Sequence, residues 1–274
     1  MLVFIFLFLS ACSDSESVVK DRLSPMEEIY LESVPESHSQ IGEVARTASP
    51  KSIQEVTDFP YQNAVTEELP PPVTTLEPQL NLCSPLLLHN IDNLPAIISS
   101  PYNPPPPGKD DRHHGVDFGY WEFGDRTTME GEVIQSILSG VVRMVLHDRF
   151  PYGNTVVIET PSFSLPSNLV TELGIEAGES IYTLYAHLDN LPLVNLGDTV
   201  NACDQLGEVG LSGNTDIAHL HIETRLGSSG TIFESMMFYS TSATIEEMEN
   251  YKLWRTSGVF RHFDPMILLL VDPS

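Results

Sequence analysis

Two histidines one residue apart, His219 and His221, stand in the stretch Ile217-Ala218-His219-Leu220-His221-Ile222-Glu223. Its polar and apolar alternation predicts a β-strand, in which successive side chains point to opposite faces. His219, His221 and Glu223 then share one face, and Leu220 and Ile222 the other. Neutral imidazole nitrogen is a favoured zinc ligand, and a strand fixes its aim. One strand cannot close a zinc site alone. The best candidates for further ligands lie upstream in Arg112-His113-His114-Gly115-Val116-Asp117-Phe118, where His113 and Asp117 are four apart. Gly115 between them is expected to let the backbone turn so that both side chains converge. His114 competes for the place of His113, but it stands three from Asp117 and reads as a supporting or surface residue.

The elements that must position these groups are short strands punctuated by glycine. Residues 132–138, 140–146, 155–159 and 181–184 read as strands, the last leading into Tyr185-Ala186-His187-Leu188. Gly197-Asp198, Gly207 and Gly213-Asn214 read as turns between further strands. No long amphipathic helix interrupts residues 110–226, so the expected fold is all-β, two packed antiparallel sheets or a flattened barrel. Two stretches do not fit this run. Residues 161–180 read as a long loop, and residues 227–258 as an insertion with a helix around Ile245 to Trp254.

The first eleven residues hold an apolar run, Leu2 to Leu9, too short to span a bilayer and suited to the core of a signal peptide. It ends in Leu9-Ser10-Ala11-Cys12, which resembles the lipobox of bacterial lipoproteins and implies a lipid on Cys12. The expected product is exported to the cell envelope and anchored to the outer face of a membrane. Residues 12–80 are acidic and rich in Ser and Pro, and read as a tether with a short helix around Met26 to Leu31. Residues 81–274 form the folded domain, and the segment Leu80 to Ser100 is apolar enough to pack against its core. In an oxidising compartment Cys83 and Cys203, the two cysteines besides Cys12, are expected to pair. The formal charge of −25 argues against nucleic acid and against docking on anionic lipid by charge. A monomer is expected.

The histidine motifs do not stand alone. Together with Tyr152-Gly153-Asn154-Thr155-Val156-Val157-Ile158, Gly197-Asp198-Thr199-Val200, Gly210-Leu211-Ser212-Gly213-Asn214 and Phe263-Asp264-Pro265-Met266, they resemble the lysostaphin-type, LytM-like zinc endopeptidases. The resemblance covers a core of about 95–226, with 259–274 as a closing segment. It implies a barrel-sandwich of duplicated hybrid motifs. It also implies zinc held by His113, Asp117 and His221, with a fourth position open, and catalysis by His187 and His219. One of these two would accept a proton and the other stabilise charge, in an order left open. The implied substrates are the peptides of bacterial peptidoglycan. Tyr185 is read either as a cleft residue or as a packed strand residue, and Glu223 either as the orienting partner of a ligand or as a cleft-edge salt bridge to an arginine. The loop 161–180 and the insertion 227–258 are expected to line or lengthen the cleft. His38, His89, His147 and His262 are expected to be ordinary core or surface residues.

Two rival readings were weighed on the same residues. A biotinyl or lipoyl carrier needs a lysine at a hairpin tip, and none occurs between Arg149 and Lys252. A catalytically silent regulator of other wall hydrolases is expected to have lost ligands, and here all are kept.

Overall fold

A computed structural model describes residues 77–271. The signal-like run, Cys12, the helix around Met26 to Leu31, His38 and nearly all of the expected tether lie outside these residues. Within them, β-branched and aromatic runs set the architecture, because such side chains pack well on a pleated surface. The strands are β1 (Ile98–Ser100), β2 (Val116–Phe118), β3 (Val133–Gln135), β4 (Gly140–Arg149), β5 (Gly153–Pro161), β6 (Glu179–Leu188), β7 (Thr199–Val200), β8 (Gln205–Glu208), β9 (Leu220–Ser228) and β10 (Arg261–Phe263). Three α-helices accompany them among the described residues: α1 (Ser167–Leu173), α2 (Ile245–Arg255) and α3 (Pro265–Leu269). The fold is all-β and antiparallel, as expected, but its two sheets are unequal. Eight strands form the large sheet in the order β1-β2-β9-β6-β5-β4-β7, with β10 also paired to β9, and β3 and β8 form a two-stranded ribbon.

The large sheet is covered on both faces. On one, Val156, Ile158, Ile181, Tyr185 and Ile222 pack with Ile134 and Leu206 of the ribbon and with Leu86 and Leu94 of the N-terminal segment. On the other, Val157, Tyr182, Leu184 and Ala186 pack with Phe233, Met236, Tyr251, Trp254 and Phe260. Strands β5 and β6 are therefore buried at nearly every position, whereas an antiparallel sheet commonly leaves one face to solvent. The insertion is the roof of this second core. Its helix α2 starts at a capping box, in which the Thr244 side chain accepts from the Glu247 backbone and the Glu247 carboxylate accepts from that of Thr244.

Two local readings need correction. Residues 161–180 are not a plain loop, since they contain α1, closed by Gly174 in the left-handed region at φ 62°. Gly207 lies inside β8 and not in a turn; a Cβ there would meet Leu188 Cδ2 at 2.7 Å, so the residue is small because the ribbon and β6 approach closely.

Cys83 and Cys203 are bonded, with Cα atoms 5.3 Å apart, and the bond closes a loop of 120 residues in sequence separation. Such a bond removes loop entropy from the unfolded chain, by about 2–4 kcal/mol. Replacing both cysteines by serine is expected to lower unfolding free energy by that amount in urea titration. An unchanged midpoint would show that packing of Leu86 and Leu94 holds the N-terminal segment unaided.

Candidate metal centre

Strand register brings the distant motifs together. Asp117 of β2 is the pairing partner of His221 in β9, and Ala186 of β6 pairs with His221 from the other side. His113 enters from the segment just before β2, bridged to Asn103. Gly115 serves this approach differently from the expected turn: a Cβ there would lie 2.1 Å from the Ile222 carbonyl oxygen, so only glycine lets the two backbones close. His219 immediately precedes β9 and shares the face of His221 and Glu223. His187, near the end of β6, has φ 63°, a left-handed conformation uncommon outside glycine. Its backbone N–H donates to the Tyr152 carbonyl at 3.0 Å, and its own carbonyl accepts from Gly210 N at 2.9 Å. Those two bonds hold the strained residue where β6 meets the loops 151–153 and 210–214.

Three donor atoms converge. His113 Nε2 lies 3.0 Å from Asp117 Oδ1 and 3.2 Å from His221 Nδ1, and His221 Nδ1 lies 2.7 Å from the same Asp117 oxygen. The opposite edges of both rings determine where their protons sit. His113 Nδ1 faces the Pro101 carbonyl at 2.9 Å, and His221 Nε2 faces the Glu223 carboxylate at 3.2 Å. Each acceptor claims the ring proton, so the neutral rings turn lone pairs toward one another and toward a carboxylate oxygen. Three lone pairs aimed at one point repel unless a cation lies among them. The donor set, two imidazoles and one carboxylate within 4.8 Å of one another, fits a zinc ion and leaves a coordination position free. Burial disfavours charge on His221, yet Asp117 and Glu223 on its two sides outweigh this and raise its pKa to about 9, so without a cation among the three donors this ring takes up a second proton. Burial likewise opposes the Asp117 carboxylate, but the hydrogen bonds of His113 and His221 hold its pKa below the usual range. The potential at this point favours positive charge.

His187 and His219 stand beside the trio, with ring centroids 4.8 Å apart, and His187 lies 5.8 Å from His221. His187 Nδ1 faces the Ser212 carbonyl at 2.8 Å, and His219 Nδ1 the Ile217 carbonyl at 2.8 Å. Both rings thereby turn their Nε2 edges toward the trio, that of His219 lying 3.6 Å from Asp117 Oδ1. Burial, and then the neighbouring His221 and His219, lower the His187 pKa to about 3, so this ring is neutral near pH 7. All five residues expected at a zinc centre are therefore in one place.

Glu223 is fully buried and lines neither of the cavities beside the trio, so it is not at a cleft edge; it faces His221 and pairs with two arginines in the interior. Its Oε1 accepts from His221 Nε2, from Tyr152 Oη at 2.7 Å and from an Arg255 terminal nitrogen at 2.7 Å. Its Oε2 accepts from Arg225 at 2.7 and 3.1 Å and from Trp254 Nε1 at 2.8 Å. Burial alone would raise its pKa, but the two guanidiniums hold it well below the usual carboxylate range. Tyr185 is not a cleft residue: it is fully buried on the opposite face of β6, where its hydroxyl accepts from Ile137 N at 2.8 Å. The tyrosines that line the site are Tyr152, Tyr239 and Tyr251, none of which has metal-binding chemistry to mark it in the sequence. Arg225 extends the alternate-residue row His219, His221, Glu223 and was legible by period; Arg255 carried no such signal.

The other histidines take supporting places. His114 is buried, and its Nδ1 accepts from Arg225 at 2.9 Å; burial, then the charge of Arg255, lower its pKa to about 3. His262 meets the Tyr102 hydroxyl at 2.6 Å, His147 the Asn154 side chain at 3.0 Å, and His89 lies buried against Glu132 at 3.3 Å.

The trio opens into two adjoining cavities. One, of about 300 Å³, is walled by Asp110, Tyr152, His187, Tyr239, Tyr251 and Arg255. The other, of about 630 Å³, runs past Asp117 and His219 to Tyr120, Trp121 and Asp216. The insertion thus lines the first cavity, as expected. The segment 161–180 lines neither; Pro161 and Ser180 pair at the end of the β5–β6 hairpin opposite to Asn154 and Leu188.

Residues 111–231 match the model of peptidase family M23. Among solved structures, the chain is similar to a zinc-containing peptidase from Vibrio cholerae, at 24% identity and TM-score 0.37 over 55% of this chain and 37% of that one. It is also similar to the catalytic domain of lysostaphin from Staphylococcus simulans, at 23% identity and TM-score 0.35 over 50% of this chain and 86% of that one. A prophage-encoded M23 protein from Enterococcus faecalis aligns at 22% identity and TM-score 0.36 over 50% of this chain and 85% of its catalytic domain. The chain thus spans well under half the length of the Vibrio cholerae peptidase. Comparison with curated proteins finds no match.

Glu223→Gln keeps the shape of the side chain and removes the charge that neutralises Arg225 and Arg255. Breaking a buried ion pair in this way costs about 3–5 kcal/mol. Chemical denaturation is expected to show a loss of that size, and a loss below about 1 kcal/mol would mean that water reaches the two guanidiniums.

Proposed function

We propose that the protein, whose residues 111–231 match the model of peptidase family M23, is a zinc-dependent endopeptidase that hydrolyses peptide bonds in the cross-links or stem peptides of bacterial peptidoglycan. The observation that carries this reading is the convergence of His113 Nε2, Asp117 Oδ1 and His221 Nδ1, flanked by two imidazoles with their Nε2 edges toward the trio. Three protein ligands with an open position mark a catalytic rather than a structural zinc site. Zinc held there supplies a Lewis acid that acidifies water and polarises a carbonyl.

The chain's own residues do the remaining work. One of His187 and His219 accepts the single proton released as water attacks the scissile carbonyl, and the other ring stabilises the developing charge. Proton return from the imidazolium so formed to the leaving amine completes the cleavage. The Ser212 and Ile217 carbonyls hold both rings in the orientation this needs. The two cavities give an extended peptide room on either side of the trio. The choice of peptidoglycan as substrate rests on the resemblance of the motifs to lysostaphin-type endopeptidases. Export and a lipid on Cys12, inferred from Leu9-Ser10-Ala11-Cys12, would place the enzyme in the cell envelope beside that substrate.

One zinc per chain is expected by elemental analysis, lost in His113→Ala and in His221→Ala. His187→Ala and His219→Ala are expected to keep the zinc and to slow release of wall peptides by about 10²–10⁴-fold, measured by mass spectrometry of digested peptidoglycan. A zinc-loaded wild-type protein that releases no wall peptide would overturn the assignment. Cys12→Ser is expected to move the protein from the membrane fraction to the soluble fraction, and unchanged fractionation would remove the lipid anchor from the reading.

A further inference from the structure

The insertion does more than roof the second core. Its last helical residue, Arg255, reaches back into the site and makes two ion pairs at once. The Arg255 Nε donates to Asp110 Oδ1 at 2.7 Å, and a terminal nitrogen donates to Glu223 Oε1 at 2.7 Å. Asp110 stands three residues before His113, and Glu223 Oε1 is the atom that holds His221 Nε2. We propose that Arg255 is a positioning residue for the metal centre, with Asp110 as its anchor: one guanidinium spans from the segment carrying His113 to the strand carrying His221 and sets how far apart these two ligands lie.

Several observations converge on this link. Asp110 and Arg255 both lie outside the matched segment 111–231, so the link is an addition to the part of the chain that the family model describes. The second Asp110 oxygen accepts from Tyr239 Oη at 2.6 Å and Tyr251 Oη at 2.9 Å, so three side chains of the insertion hold this one carboxylate. Arg225 already pairs with Glu223, but through Oε2. Arg255 takes Oε1, the oxygen on the His221 side, and thereby fixes the orientation of the carboxylate as well as its charge. A planar fork that meets two carboxylates in different directions holds an angle, which a lysine ammonium with one nitrogen does not. The Arg255 side chain is 11% exposed and its guanidinium lies over the Tyr251 ring, so little of its geometry is left to solvent. The two guanidiniums and the two carboxylates also balance in charge.

The inference rests on the metal centre proposed above, and its test separates the two. Zinc affinity is measured in the full-length protein by competition with a chelator, alongside the visible spectrum of the cobalt-substituted protein and the melting of the metal-free protein. Asp110→Asn and Arg255→Met are each expected to weaken zinc binding about 10- to 100-fold and to alter the cobalt bands, as loss of a ligand's supporting partner does. The double variant is expected to match Arg255→Met, because both changes cut the same link. Arg255→Lys is expected to fail to rescue affinity. If Arg255→Met does not fold, Asp110→Asn, at the outer end of the link, decides the question. Variants with wild-type zinc affinity and unchanged cobalt bands, whatever their melting temperature, overturn the positioning role and leave the metal centre standing. Wild-type protein that binds no zinc overturns both.

Discussion

The site depends on one buried carboxylate. Glu223 lies fully inside the second core and is met by donors from His221, Tyr152, Trp254, Arg225 and Arg255. A lone carboxylate in that position would lose its charge to desolvation, and a lone guanidinium would be equally costly. Surrounded as it is, Glu223 stays ionised and fixes the proton of His221 on Nε2. That single assignment turns the Nδ1 lone pair toward Asp117 and His113. Metal-binding geometry at the surface is thus a consequence of charge balance in the interior.

The interior in turn depends on the sheet being covered twice. The ribbon and the N-terminal segment bury one face, and the insertion buries the other. Trp254 and Arg255, adjacent in α2, divide the labour. The Trp254 ring packs against Phe233 and stacks under Arg225, while Arg255 turns to the cleft. Substrate space and core packing therefore share one helix, so a change in the insertion acts on both.

Much of this was legible in the residues. The row His219, His221, Glu223 shows its shared face through the two-residue period of a strand, and Arg225 continues that period. The approximate strand bounds follow from β-branched runs such as Thr155-Val156-Val157-Ile158, and the insertion reads as holding a helix around Ile245 to Trp254, whose capping box the structure shows. What local pattern does not carry is which face a residue takes in three dimensions. Tyr185 and Tyr152 look alike in the chain, yet one lies under the ribbon and the other on the site's face. Arg255 was equally silent, because a helical arginine is ordinarily solvated, and its role arises from a contact with residues far away in sequence. The need for glycine at 115 is a tertiary constraint, close approach to the Ile222 carbonyl, which its place between His113 and Asp117 does not show.

The position of α1 bears on how this molecule tolerates change. It sits at the Pro161–Ser180 end of the β5–β6 hairpin, whereas His187 sits at the other. The paired residues between Asn154 and Pro161, at about 3.4 Å each, put roughly 20 Å of rigid ladder between the two ends. The exposed positions of the hairpin tip are thereby held away from the candidate metal centre. Leu165 and Leu169 anchor the tip in the first core, but its exposed positions, such as Phe163, offer an experimenter places to graft a fluorophore or an affinity handle far from the trio.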